Sequence, residues 1–209
     1  MNIGIIGTGN MGLALGRLWA ARGHEVRLSF SRDETKLRDK AATIGAQSGS
    51  VREAVDASDV LLLSVPWNAV PEAIAQAGDL SGKLLITCCT PLNANMSGLT
   101  LGTDDSGAET IGRLAPGARV VEAFNSVFAT VFESGNTHFG DRRATVFFCG
   151  DDAGAKQVVA GLIEELSCEG VDAGPLSSAR YLEPVGAMMV RFALALGQGT
   201  NLNLALLRR

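Results

Sequence analysis

Apolar residues fall into two alternating patterns along this chain. The runs "NIGII", "DVLLLSV" and "KLLITCC" are continuous, as strands buried on both faces would be. Between them, apolar positions recur three and four residues apart, the mark of helices with one apolar stripe. The opening segment shows both: Asn2 to Ile6 predicts a strand, and Met11, Ala14, Leu15, Leu18 and Trp19 predict a helix. Gly23 stands where that helix should stop, and "EVRLSF" resumes as a second strand.

The alternation continues. "DETKLRDKAATIG" predicts a helix ending at Gly45, "VREAVDAS" a short helix, and "NAVPEAIAQAG" and "AETIGRLAPG" further ones. "RVVEAFNS" and "RATVFFCG" read as strands, "DAGAKQVVAGLIEELSCEG" as an amphipathic helix closed by Gly170, and "VDAGPL" as a last short strand. "SSARYLEPVGAMMVRFALALGQG" predicts one long helix. Leu182, Val185, Met188, Met189 and Phe192 form its stripe, Ser177 or Ser178 its cap, and Gly197 and Gly199 its end. The pattern predicts an α/β fold: a Rossmann-type doubly wound, mostly parallel sheet over residues 1–175, with a C-terminal helical segment, 176–209, packing on that domain or on a second copy.

Gly7, Gly9 and Gly12 form G-x-G-x-x-G directly after a predicted strand and at the start of a predicted helix. Gly7 would allow the tight turn, Gly9 the approach of a pyrophosphate, and Gly12 close packing of helix on strand. An NAD-binding unit carries an acid at the end of its second strand to bond the ribose hydroxyls. Here the chain offers Ser31 and Arg32, with Lys36 one helical turn on, a hydroxyl and two cations suited to a 2′-phosphate. The expectation is NADP rather than NAD. Asp33 and Glu34 next door keep open the alternative of an ordinary solvated loop.

Ligands of such sheets bind beyond the carboxyl ends of the strands. There stand Val65, Pro66 and Trp67; then Pro91 and Leu92 at the head of a long polar connection; then Asn125, a candidate amide ligand for a carboxamide, with Phe128 and Ala129 after it. For Trp67 and Phe128, plain core packing is the competing account. The formal charge of -4, with no basic tract, argues against nucleic acid, and the absence of a long apolar run or leader predicts a cytoplasmic protein without a membrane segment. The four cysteines, Cys88, Cys89, Cys149 and Cys168, lack C-x-x-C spacing and read as reduced core thiols. With His24 and His138 as the chain's two histidines, no metal site is expected.

Taken in order, "GTGNMG", "FSRDETK", "SVPWNAV", "CGDDAGAKQVV", "DAGPLSSARYLEP" and "MMVRF" resemble the F420-dependent NADP oxidoreductase family, and "VVEAFNSVFATVFESG" is similar to the oxidoreductase domain of the STEAP metalloreductases. The resemblance implies that Thr8, Gly9, Asn10 and Met11 contact the pyrophosphate, that Ser31, Arg32 and Lys36 hold the 2′-phosphate, and that Pro66 and Trp67 line the nicotinamide. It implies a hydride passed between NADPH and coenzyme F420 or a flavin, with no catalytic acid or base named. Archaeal members that use F420 carry a His-Thr-Ile-Pro-like stretch where this chain has "FNSVFA", so the second ring's identity stays open. No membrane segment is seen, which sets aside a complete ferric reductase.

Two other readings remain. "IGTGNMG" also resembles pyrroline-5-carboxylate reductase and the hydroxyacid dehydrogenases, which implies a small imine or carbonyl substrate; those enzymes need a larger helical domain. A non-catalytic NADP sensor would keep "SRDETK" and need no second ring site. The apolar stripe of the last helix, continued in "NLNLALL", predicts a homodimer.

Overall fold

The computed structural model describes residues 1–207 and 209. Its first strand, β1 (Asn2–Ile6), is buried at every position after Asn2, as a strand covered on both faces must be. There follow α1 (Asn10–Ala20), β2 (Glu25–Ser29), α2 (Glu34–Thr43), β3 (Gln47–Ser48), α3 (Val51–Asp56) and β4 (Val60–Leu63). Next come α4 (Val70–Ala77), β5 (Leu84–Thr87), α5 (Gly107–Leu114), β6 (Arg119–Ala123) and α6 (Ala129–Glu133). A small hairpin of β7 (His138–Phe139) and β8 (Arg142–Arg143) leads into β9 (Thr145–Gly150), α7 (Ala153–Glu165), β10 (Glu169–Asp172) and α8 (Ala179–Val190).

One eight-stranded sheet has the order β3-β2-β1-β4-β5-β6-β9-β10. Every neighbouring pair is parallel except β6 and β9, which run antiparallel with Glu122 opposite Cys149. The first six strands therefore have the Rossmann order, whose connections reverse direction between β1 and β4. This is the doubly wound, mostly parallel sheet the sequence predicts. Two apolar layers cover it. One holds Ile3, Ile5 and Trp19 with Phe124 and Phe132, whose rings meet edge to face at 6.0 and 5.9 Å; the other holds Ile6, Leu61, Leu63, Leu85 and Ile111.

Three details differ from the sequence expectation. The helix α7 stops before Ser167, which takes the left-handed conformation (φ 57°) expected of a terminating glycine, and Gly170 lies inside β10. The last helix ends at Val190 and widens into a π-type turn over Arg191–Ala195, and neither Ser177 nor Ser178 caps its start with its side chain. Its packed face is the predicted one in part, with Leu182 and Met189 buried and Val185 and Phe192 half-buried. Ala179, Leu182, Glu183, Gly186 and Met189 are buried, whereas Met188 is 40% exposed. Gly186 is there because α8 crosses the chain closely: a Cβ would lie 2.8 Å from the carbonyl oxygen of Asn125. Beyond the helix the chain returns to the sheet, where the Asn203 amide bonds both the N–H (2.9 Å) and the carbonyl (3.0 Å) of Thr145.

Among the described residues no helix is long and apolar enough to cross a membrane.

Candidate functional site

The turn between β1 and α1 is fixed by contacts that exclude a side chain. Gly7 has φ 117°, and a Cβ there would sit 2.1 Å from the Ser64 carbonyl oxygen. At Gly12 a Cβ would lie 2.4 Å from the Gly7 oxygen, so both glycines are required by the backbone's own packing. Gly9 is different: a Cβ there would meet nothing within 4 Å. Side chains cap α2, α3, α5 and α7; α1, like α4, α6 and α8, has no side-chain cap, and it starts on Gly9 with no acid in its first turn. Its first N–H groups and positive dipole end thus face an open approach, as an anion site requires. The carbonyl of Thr8 is gripped from the side by Lys40 Nζ of α2 at 2.8 Å.

At the end of β2, Phe30 adopts φ 62°, costly for a side-chain-bearing residue, and turns the chain outward at Ser31. Ser31 Oγ donates to the Asp33 carbonyl (3.0 Å) and accepts from the Asp33 N–H (3.2 Å). Asp33 caps α2 by accepting the Lys36 N–H at 3.0 Å, and that bond holds its carboxyl below the ordinary range. The acid beside Arg32 is therefore engaged with the helix. Lys36 Nζ lies 3.7 Å from it in an exposed pair, and Arg32 takes part in no ion pair among the described residues. A pocket of about 430 Å³ adjoins Ser31, walled by Phe30, Leu37 and Arg38 and also by the acids Glu34 and Glu53.

At the reversal point of the sheet lies a cleft of about 280 Å³. Gly9, Asn10 and Met11 line it from the glycine turn, Ser64, Val65 and Pro66 from beyond β4, Cys88 from beyond β5, and Phe124, Asn125 and Val127 from beyond β6. Phe124 repeats the device of Phe30: φ is 68° at a strand's end, here locked by its ring between Trp19 and Phe132. No carboxylate, histidine or lysine lines this cleft. Burial pushes the Cys88 thiol up to about 11, so it is a neutral wall rather than a nucleophile.

Behind the cleft are two buried acids. Glu122, 2% exposed, accepts a hydrogen bond from Asn125 Nδ2, and burial with the Glu183 charge pushes its carboxyl well above the ordinary range. Glu183 receives the Ala108 N–H at 3.0 Å at the start of α5, and burial pushes it up to about 7. Glu122 Oε2, Asn125 Oδ1 and the Ser126 hydroxyl are buried without a partner.

The structure thus gathers Gly9, Asn10, Met11, Val65, Pro66 and Asn125 around one cleft and leaves Ser31, Arg32 and Lys36 on the surface beyond β2. Trp67 opens a short 3-10 turn and is half-buried, Pro91 is buried against Gly107, Leu92 bridges Leu99, and Phe128 and Ala129 begin α6; these five do not line the cleft. Ser64, Cys88, Phe124, Val127 and, behind them, Glu122 were missed by sequence reasoning. The available signal was one acid inside the apolar run "VVEAFN" directly before an amide.

Comparison with known proteins follows the same lines. Residues 2–91 match the family described as NADP oxidoreductase, coenzyme F420-dependent. The chain is 27% identical over 183 residues to the metalloreductase STEAP3 of Rattus norvegicus, covering 88% of this chain and 36% of that protein. It therefore spans about a third of the length of that curated relative. Among solved structures, a candidate F420-dependent NADP-reductase from Arthrobacter sp. FB24 superposes over 100% of both chains with a TM-score of 0.89 at 27% identity. An imine reductase from Aspergillus terreus shares the fold, with a TM-score of 0.66 at 20% identity over 94% of this chain and 63% of that one. The resemblance to the F420-dependent NADP oxidoreductases, and through them to the STEAP oxidoreductase domain, is shown by these matches.

Proposed function

We propose that this NADP-dependent oxidoreductase relative binds NADP(H) across the carboxyl ends of β1, β2, β4 and β6, and passes hydride between NADPH and a second ring, coenzyme F420 or a flavin. The observation that carries the reading is the continuity of three features at the sheet's reversal point: the open α1 N-terminus at Gly9, unpaired Arg32 on one side, and the apolar cleft on the other. In this reading Thr8, Gly9, Asn10, Met11 and Gly12 receive the pyrophosphate at the helix end, and Ser31, Arg32 and Lys36 receive the 2′-phosphate. Val65, Pro66 and Trp67 wall the nicotinamide side, Asn125 bonds its carboxamide, and Pro91, Leu92 and Ala129 complete the cofactor's surroundings.

The residues present fit such a ligand. Gly9 leaves room for a phosphate to reach the backbone, and the buried, unpartnered Asn125 Oδ1 is an acceptor in want of an N–H. When bound, the reduced nicotinamide supplies the hydride. What the chain supplies is position and dryness: Val65, Pro66, Cys88 and Phe124 exclude water, and the helix end holds the phosphates so that the ring lies in the cleft. The lack of a carboxylate, histidine or lysine in the cleft, whose one thiol is held neutral, favours a ring acceptor over an imine or carbonyl, whose nitrogen or oxygen needs a proton as the hydride arrives. The open cleft likewise favours an enzyme over a sensor.

The test is an anaerobic absorbance assay of the purified protein with NADPH, offering F420, FMN and FAD in parallel, with NADH as control donor. Rapid bleaching of F420 or of a flavin with NADPH is expected. Binding of NADPH without reduction of any of the three would overturn the ring-acceptor reading.

A further inference from the structure

Three polar atoms lie buried and unpaired within a five-residue stretch: Glu122 Oε2, Asn125 Oδ1 and Ser126 Oγ. Leaving one such group without a partner costs about 1–3 kcal/mol, and of the three residues Asn125 lines the cleft, where a ligand could supply the partner. A carboxamide is ambiguous by nature, since rotating it by half a turn exchanges its donor and acceptor ends. Here Glu122 sets the orientation, with Oε1 as the acceptor and the carboxyl proton on Oε2. Asn125 Nδ2 donates to Glu122 Oε1, which leaves Oδ1 as the end without a partner, on a residue that lines the cleft. Around this pair, Phe124 is pinned by two aromatic rings and Gly186 of α8 presses on the Asn125 carbonyl, so the backbone beneath the amide is held as well.

We propose that Glu122 is a positioning residue: by holding the NH2 of Asn125 it fixes the Asn125 oxygen as an acceptor for the NH2 of the nicotinamide carboxamide, and so sets the orientation of the ring. This rests on the NADP reading above and deepens it. An acid in the middle of a sheet is otherwise a burden, because a buried charge is expensive. Burial, with the Glu183 charge, pushes the Glu122 carboxyl toward its neutral form and so lowers that cost; with the proton on Oε2, Oε1 is the carbonyl-type oxygen that accepts from the amide.

The experiment measures binding, without turnover, of three probes: NADP+, its 3-acetylpyridine analogue, in which a methyl replaces the carboxamide NH2, and 2′,5′-ADP, which lacks the nicotinamide half. The natural chain is expected to bind NADP+ about tenfold more tightly than the acetylpyridine analogue, one charge-free hydrogen bond in a dry site. In Glu122→Leu and in Asn125→Val that preference should fall to about one, with 2′,5′-ADP binding unchanged. Glu122→Gln, whose amide oxygen can still accept from Asn125, should restore most of it. In the Asn125→Val background, Glu122→Leu should add no further loss, because Glu122 acts through Asn125.

Preference for NADP+ retained in a folded Glu122→Leu protein would overturn the proposal, as would an absent preference in the natural chain. Should Glu122→Leu fail to fold, Asn125→Val and Glu122→Gln carry the test, and an unchanged preference in Asn125→Val overturns it equally. Failure of 2′,5′-ADP to bind the natural chain would instead strike the NADP reading itself.

Discussion

The two ends of the cleft are built on opposite principles. At the glycine turn and the end of β2 the chain offers backbone N–H groups and solvated cations, and nothing there is buried that lacks a partner. At the end of β6 the offer comes from inside: two buried acids, an amide with one free end, and a strained phenylalanine wedged between aromatic rings. The first arrangement attracts a highly charged ligand that any phosphate-bearing molecule shares. The second can read the shape and polarity of a neutral ring, which water-exposed groups do poorly because water competes for them.

The comparison breaks most sharply at its hinge. Gly7→Ala places a methyl 2.1 Å from the Ser64 carbonyl at φ 117°, and a loss of about 3 kcal/mol or more in stability is expected by thermal or urea unfolding. Arg32→Ala should cost about 1.5–3 kcal/mol in NADPH binding and leave NADH unchanged. Equal losses for both nucleotides would remove Arg32 from the 2′-phosphate. Gly9→Ala sharpens the contrast among glycines. Its methyl enters open space, so stability should change by less than about 0.5 kcal/mol while NADP+ affinity falls about tenfold.

The effect at the buried end depends on pH and is smallest in acid. Glu183 titrates at about 7 in the fold against an ordinary 4.5, so the native state holds a proton the unfolded chain has released. Stability should therefore be greatest below about pH 4.5 as far as this group is concerned, and should decline as pH rises through about 7. Glu183→Gln keeps an acceptor for the Ala108 N–H and removes the titration. At pH 8 it should melt several degrees above the natural chain, a difference of about 3 kcal/mol that shrinks toward pH 4.

The same asymmetry decided what was legible in the sequence. The strands β1, β4 and β5 and the glycine turn were readable because each rests on a local rule: continuous burial, or a backbone position that rejects a side chain. The ladder between β6 and β9 was not. Its antiparallel sense is set by the short β7–β8 hairpin, which lets the chain double back without a crossover helix long enough to keep the strands parallel. Ser167 took a glycine's conformation, so the nearby Gly170 misled. Glu122 and Glu183 look like surface residues to any hydropathy pattern. Their burial comes from tertiary packing, with Glu183 of α8 against the start of α5 and Gly186 against Asn125 just beyond β6, and no spacing rule announces it.

One helix joins the two proposed phosphate contacts. The first turn of α2 carries Lys36, and its last turn carries Lys40, which grips the Thr8 carbonyl inside the glycine turn. A rigid rod with a hand at each end makes the two sites a chelate: once one phosphate is seated, the other's receptor is already in place, and its ordering entropy is not lost a second time. Selectivity for the 2′-phosphate would then show itself in how long the pyrophosphate stays, in residence time as much as in affinity.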